Sequence, residues 1–144
     1  MNPDPATTPE TIPAEDEGIL LAFPKGLLGF PKLTKFRLFE PRDGYPLKFL
    51  QAVEAPEVSF TCIDPAGVMK DYEVPLGEEE AESLHLESIN DAMVLPLVVI
   101  PEDPRLMTTN LAGPLVINVK TLTGFQIALN ADKFPLRFPI LTQD

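Results

Sequence analysis

The side chains in this chain that could do chemistry are few: one cysteine, one histidine and a scatter of carboxylates. Cys62 lies in Val58-Ser59-Phe60-Thr61-Cys62-Ile63, an alternating run that puts it on the same face as Val58 and Phe60 and makes it a buried structural thiol. A nucleophilic cysteine needs a neighbouring base. The only histidine, His85, stands in a different and very acidic segment, where the simpler reading is a partly exposed helix residue. Asp64 and Asp71 flank a turn, and with Glu73 they are the carboxylates available for acid/base work. The plainer account of Asp64-Pro65-Ala66-Gly67 is a turn whose Asp bonds its own backbone. Glu78 to Glu82 are consecutive in sequence, a spacing that scatters oxygens rather than converging them on a cation. The chain contains no G-x-x-x-x-G-K-[ST], no G-x-S-x-G, no C-x-x-C and no histidine pair, so catalysis lacks parts and no cofactor or metal is expected.

The charge distribution favours a protein partner. The formal net charge is −11. Residues 1–17 carry five carboxylates and residues 78–91 carry six, both without Lys or Arg, and the remaining residues balance. Nucleic-acid backbones require clustered cations, so direct binding to RNA or DNA is not expected. A basic protein partner fits.

The elements that must position these residues are short. Residues 1–17 hold Pro3, Pro5, Pro9 and Pro13 among acidic and small polar residues, too little apolar content to offset ordering entropy, and read as a disordered acidic tail before a single domain at 18–144. No stretch approaches 18 consecutive apolar residues and no basic-then-apolar leader opens the chain, so a cytoplasmic protein is expected. From Ile19 onward, runs of β-branched and aromatic residues broken by Pro, Gly and Asp predict strands at 19–23, 34–40, 47–53, 58–63, 70–74, 93–100, 115–119 and 125–130. Spacing this close leaves no room for βαβ crossovers. The fold class expected is mainly β, a compact antiparallel barrel or sandwich with one short helix at 78–86 capped by Gly77, with Ala81, Leu84 and His85 toward one face. Pro96, inside the sixth run, requires an edge or a bulge. Gly26 and Gly29 suit turn positions with positive φ. Such a turn either buries Leu27, Leu28 and Phe30, the expectation here, or exposes them as a docking surface.

Thr108-Thr109-Asn110-Leu111-Ala112-Gly113-Pro114-Leu115-Val116-Ile117-Asn118 reads as strand, corner, strand. It closely resembles the T-A-N-L-x-A-P-[LIV]-V-I-N signature of the flagellar assembly factor FliW family. Further landmarks follow in the same order: Gly26-Leu27-Leu28-Gly29-Phe30-Pro31, Phe49-Leu50-Gln51-Ala52-Val53, Ile63-Asp64-Pro65, Gly124-Phe125-Gln126-Ile127 and Phe134-Pro135-Leu136-Arg137. The chain departs from the signature at Thr109 and Gly113, where alanine is usual, and its acidic tail is longer than the family core requires.

The resemblance implies a non-enzymatic, β-barrel-like, monomeric protein that binds flagellin and, alternately, the dimeric RNA-binding translational repressor CsrA. Release of flagellin by export would free it to take CsrA off the flagellin message. The partner-binding residues the resemblance points to are Gln51, Glu54 and Glu57, from the segment matching L-Q-S-x-x-x-P, then Asp64, Asp71 and Tyr72, and Asn110 from the signature. The alternative is a small β-barrel enzyme or ligand-binding domain using Asp64, Asp71 and Glu73 in a barrel mouth.

Overall fold

A computed structural model describes residues 18–40, 47–65 and 72–140. Its strands are β1 (Ile19–Ala22), β2 (Lys35–Phe39), β3 (Leu47–Ala52), β4 (Ser59–Ile63), β5 (Ala92–Val99), β6 (Thr108–Asn118), β7 (Thr123–Gln126) and β8 (Phe138–Pro139). They hydrogen-bond in the order β5-β4-β3-β2-β1-β7-β6-β8, and β5 also pairs with β6, which closes seven of them into a ring. The result is a barrel rather than a sandwich. Every neighbouring pair is antiparallel except β1 and β7, which meet in parallel at Ala22 and Thr123 alone, with the Ala22 N–H donating to Leu122 O at 3.0 Å.

The inward positions follow the period of two. Leu21 and Phe23, Phe36 and Leu38, Leu50 and Ala52, Cys62, Leu95, Leu115 and Ile117 fill the barrel interior, which is therefore a packed core and not a channel. Phe23 meets Phe36 edge-on with centroids 5.6 Å apart, and a Cβ at Gly124 would come within 2.8 Å of both Phe23 and Ile117. A second apolar layer lies against the outer wall, where Ile63 and Leu111 are buried under Leu47, Tyr72, Val98, Phe134, Phe138 and Ile140.

Pro96 is in neither an edge strand nor a regular ladder. β5 is paired on both sides, and the register against β6 jumps between Leu95 and Leu97, which face Leu115 and Asn110. The bulge takes up the missing donor. The expected corner at Gly113-Pro114 falls opposite this jump, so β6 is one 11-residue strand whose two halves have different partners: β8 beside Thr108 and Thr109, β7 beside Leu115 to Asn118. The departure at Thr109 is accommodated, since this buried residue donates its hydroxyl to Leu97 O at 2.8 Å.

Two expectations need correction. Of the strand expected at 70–74, residues 70 and 71 lie outside the described residues, and 72–74 form no strand; Tyr72 is drawn onto the outer wall instead, and Pro75 and Gly77 interrupt any ladder. The helix α1 spans Glu78–Ser83, not 78–86. Gly77 is its N-cap, with the Gly77 N–H donating to the Glu80 carboxylate at 2.8 Å. It stops because Asn118 Nδ2 donates to Leu84 O at 2.7 Å and to His85 O at 3.3 Å, with His85 in the left-handed region at φ 56°. Leu84 is buried and His85 exposed. The acidic tail at 1–17 also lies outside the described residues. Among the described residues, no helix is long and apolar enough to cross a membrane.

Cys62 faces the core as its phase required, and burial pushes its thiol up to about 12, an effect that neighbouring Lys48 only partly offsets. In the unfolded chain the thiol ionises near pH 9.0. Between those values the unfolded state holds fewer protons, so stability falls as pH rises, by at most about 1.4 kcal/mol per pH unit from this group. Denaturant titrations at pH 8 and pH 10 are expected to show this loss, Cys62→Ala should reduce it, and thiol reagents should label Cys62 rapidly only after unfolding. Rapid native labelling would require the opposite register of β4.

Candidate binding groove

The turn after β1 is built by glycine. Gly26 has φ 69° and a Cβ there would lie 2.4 Å from Phe30 O, while Gly29 has φ 87°. Leu27 and Phe30 bridge each other across the turn. The three apolar side chains separate: Leu27 is 3% exposed, Phe30 38% and Leu28 84%. Burial was the expectation for all three; Leu27 meets it, while Leu28 and, more narrowly, Phe30 overturn it. The geometry explains why, because Leu27 points into the barrel core and the next residue at the turn tip must point away.

Leu28 is held over a groove of about 600 Å³, walled by residues 25–29, Asn110, Ala112, Gly113, Phe125 to Leu129, and Leu136. Segments distant in sequence meet here: the glycine turn, the middle of β6, β7 with its continuation, and the loop before β8. The Gln126 side chain ties three of them together. Its Oε1 accepts the Leu28 N–H at 2.8 Å and its Nε2 donates to Gly113 O at 2.9 Å. Backbone bonds from Ile127 N to Pro114 O and from Leu129 N to Ala112 O extend β7 along the bulge. A Cβ at Gly113 would sit 3.2 Å from Asn110 Nδ2 and 3.4 Å from Gln126 Nε2, so glycine relieves crowding where alanine would press on both amides.

The groove wall is mostly apolar, and among the described residues Lys25 is its single charged member. Lys25 Nζ lies 5.6 Å from the centroid of the Phe125 ring, a cation–π arrangement. Lys25, Phe125, Gln126, Ile127 and Ala128 also wall a neighbouring cleft of about 350 Å³ completed by Glu79, Glu80, Ser83 and Leu84 of the α1 segment. Among the described residues, no three His, Cys, Asp or Glu side chains group as a metal site.

The residues singled out from sequence do not form one patch. Gln51 donates from Nε2 to Pro56 O at 2.9 Å, beside exposed Glu54 and Glu57 at the β3–β4 turn. Asp64, also exposed, follows the far end of β4, because Ile63 pairs with Leu47 while Ser59 pairs with Gln51. Tyr72 is half-buried on the outer wall, donating its O–H to Leu111 O at 2.8 Å and meeting Phe134 edge-on. Burial raises its phenol well above the ordinary range. Asp71 lies outside the described residues, and Glu73 is exposed. Asn110 alone lines the groove, with its Oδ1 accepting the Ala112 N–H at 2.9 Å. Sequence reasoning missed Lys25 and Gln126 as site residues. Gln126 had a usable signal, since it stands inside one of the recurring segments.

A family model described as FliW protein matches residues 6–140. The chain belongs to the FliW family. It is 40% identical over 125 residues to the flagellar assembly factor FliW of Carboxydothermus hydrogenoformans, covering 87% of this chain and 80% of the relative. The FliW of Leptospira interrogans is 36% identical over 123 residues, covering 85% and 82%, and that of Clostridium botulinum 33% over 129 residues, covering 90% of each. A crystal structure of the flagellar assembly factor FliW superposes with a TM-score of 0.79 at 25% identity over 87% of both chains. The FliW match begins at residue 6, inside the segment expected to be a tail.

Gln126 carries the groove's geometry, so its removal should loosen it. Gln126→Ala is expected to cost about 1 to 2 kcal/mol, the net value of two hydrogen bonds, and to abolish hydrogen-exchange protection at the Leu28 amide while leaving Leu115 to Asn118 protected. Unchanged protection at Leu28 would show that the turn stands without the bridge.

Proposed function

We propose that this chain is a non-enzymatic flagellar assembly factor of the cytoplasm that, as a monomer, binds flagellin and a CsrA-type RNA-binding repressor in alternation. One observation carries the reading. Four of the segments that mark the FliW family, scattered from residue 26 to residue 137, each contribute to the walls of a single apolar groove on a barrel whose interior is filled. A solvent-facing apolar groove on a barrel whose core is already filled is a surface fitted to a partner.

The second part of the reading rests on charge. Glu78, Glu79 and Glu80 stand in the first turn of α1 with no basic residue in the last. Such a face speeds encounter with a basic repressor and disfavours nucleic acid. Because the groove and the acidic cleft share Lys25 and Phe125 to Ala128, a protein seated on one face reaches the border of the other. That common wall supports alternation rather than simultaneous binding. The enzyme alternative fares worse: Asp64 and Glu73 are exposed on the outer surface, and among the described residues no carboxylate lines the larger groove.

Titration calorimetry with purified flagellin and purified repressor tests the proposal. Binding of each with a Kd below about 100 μM, equivalent to roughly −5.5 kcal/mol, is expected, with either partner reducing the apparent affinity of the other. Replacing Glu78, Glu79, Glu80 and Glu82 by Gln should slow association with the repressor and flatten its salt dependence, because rim charges act over a Debye length of about 8 to 10 Å. A folded protein that binds neither partner would refute this function while leaving the fold intact.

A further inference from the structure

The groove has a polarity opposite to that of the protein around it. The chain carries a net charge of −11, yet among the described residues the only charged side chain in the groove wall is a cation. Lys25 makes no ion pair with a carboxylate among the described residues, its ammonium resting over Phe125. The polar groups beside it are committed in a consistent sense. Gln126 has both amide atoms engaged. Asn110 has its oxygen fixed by the Ala112 N–H, which settles the orientation of the amide and leaves Nδ2 as a donor at the groove wall with no protein acceptor among the described residues. The side-chain groups left without a protein acceptor among the described residues are therefore both donors, the Lys25 ammonium and Asn110 Nδ2, set in apolar walls that include exposed Leu28 and Leu136.

We propose that this groove receives an apolar segment of a partner protein that presents a carboxylate to Lys25, with leucine-sized side chains lodged between Leu28, Leu129 and Leu136 and a main-chain carbonyl accepting from Asn110 Nδ2. Charge complementarity selects this occupant. A basic segment would bring like charge onto Lys25, and an uncharged one would leave an ammonium partly desolvated against apolar walls without a counter-ion. The acidic cleft on the other side of Phe125 attracts the opposite charge, so the two faces that share a wall differ in what they accept. The assignment draws on the proposed function only for the source of the segment.

The probes are a leucine-rich octapeptide with a free α-carboxylate and the same peptide as its amide, titrated by NMR into the full chain. The free acid is expected to shift the amides of Leu28, Phe125 and Gln126 and to bind at least about fivefold tighter than the amide, roughly the value of one exposed ion pair. Lys25→Gln should bring the two peptides to equal affinity and Lys25→Arg should restore the difference. Leu28→Ser should weaken both; with the side chain 84% exposed, this variant has no core contact to lose. Equal binding of acid and amide to the native chain, or the absence of groove shifts at millimolar peptide, would overturn the proposal. So would tighter binding of the free acid to Lys25→Gln than to the native chain, which would show that Lys25 does not recognise the carboxylate. Flagellin titrated into the same variants separates the two conclusions: a failure of flagellin to bind the native chain refutes the partner assignment and leaves the peptide result standing.

Discussion

The structure depends on one strand that cannot be regular. β6 pairs with β5 through both of its halves, at Thr108 to Asn110 and Leu115 to Asn118, yet it must also hand its other edge from β8 to β7 within 11 residues. A flat strand cannot serve both neighbours. The chain solves this by placing Pro96 on one side of the ladder and Gly113-Pro114 on the other, so that the register slips between Leu95 and Leu97 while β6 continues. The freed carbonyls of Ala112, Gly113 and Pro114 are then taken by Leu129 N, Gln126 Nε2 and Ile127 N. Each of these three acceptors is satisfied, and the bulge becomes a wall rather than a defect.

The barrel seam sets a second constraint. β1 and β7 share only the Ala22 and Thr123 pair, so the ring closes through side chains as much as through backbone. Phe23, Gly124 and Ile117 are in close contact there, to the point that no Cβ fits at Gly124. The polar bridge from Gln126 to Leu28 N continues the closure where the ladder ends. The same atoms that close the barrel therefore build the groove, and a sequence held to one duty is held to the other.

How far the sequence discloses this varies by physical cause. The alternation in β2, β3 and β4, the phase of Cys62, the positive φ at Gly26 and Gly29 and the disturbance at Pro96 were legible because each depends on a period of two or on a single residue's dihedral limits. The helix end was not, because it is decided by Asn118 reaching across from β6 to the carbonyls of Leu84 and His85. β8 escaped notice for a similar reason: Phe138 and Pro139 carry no period and become a strand only because β6 offers Thr108 and Thr109. The groove itself was half legible. The recurring segments were visible one by one, but that they converge is a property of the barrel's closure, which no local pattern carries.

The electrostatics bring these constraints to function. Removing the eleven unbalanced carboxylates at 1–17 and 78–91 would leave a neutral chain, so the acidity is an addition carried at specific places rather than a property of the barrel. Those at 78–91 that stand on α1 are held there by the Gly77 cap and the Asn118 anchor, and among the described residues the groove next to them has no carboxylate in its lining. Lys25 stands where the two meet, and its contact with Phe125 keeps it in place without a counter-ion from α1. An ion pair from Lys25 to Glu79 or Glu80 would have cancelled both features. Their separation gives one small barrel two adjoining surfaces of opposite electrostatic preference, so a segment suited to one is disfavoured on the other.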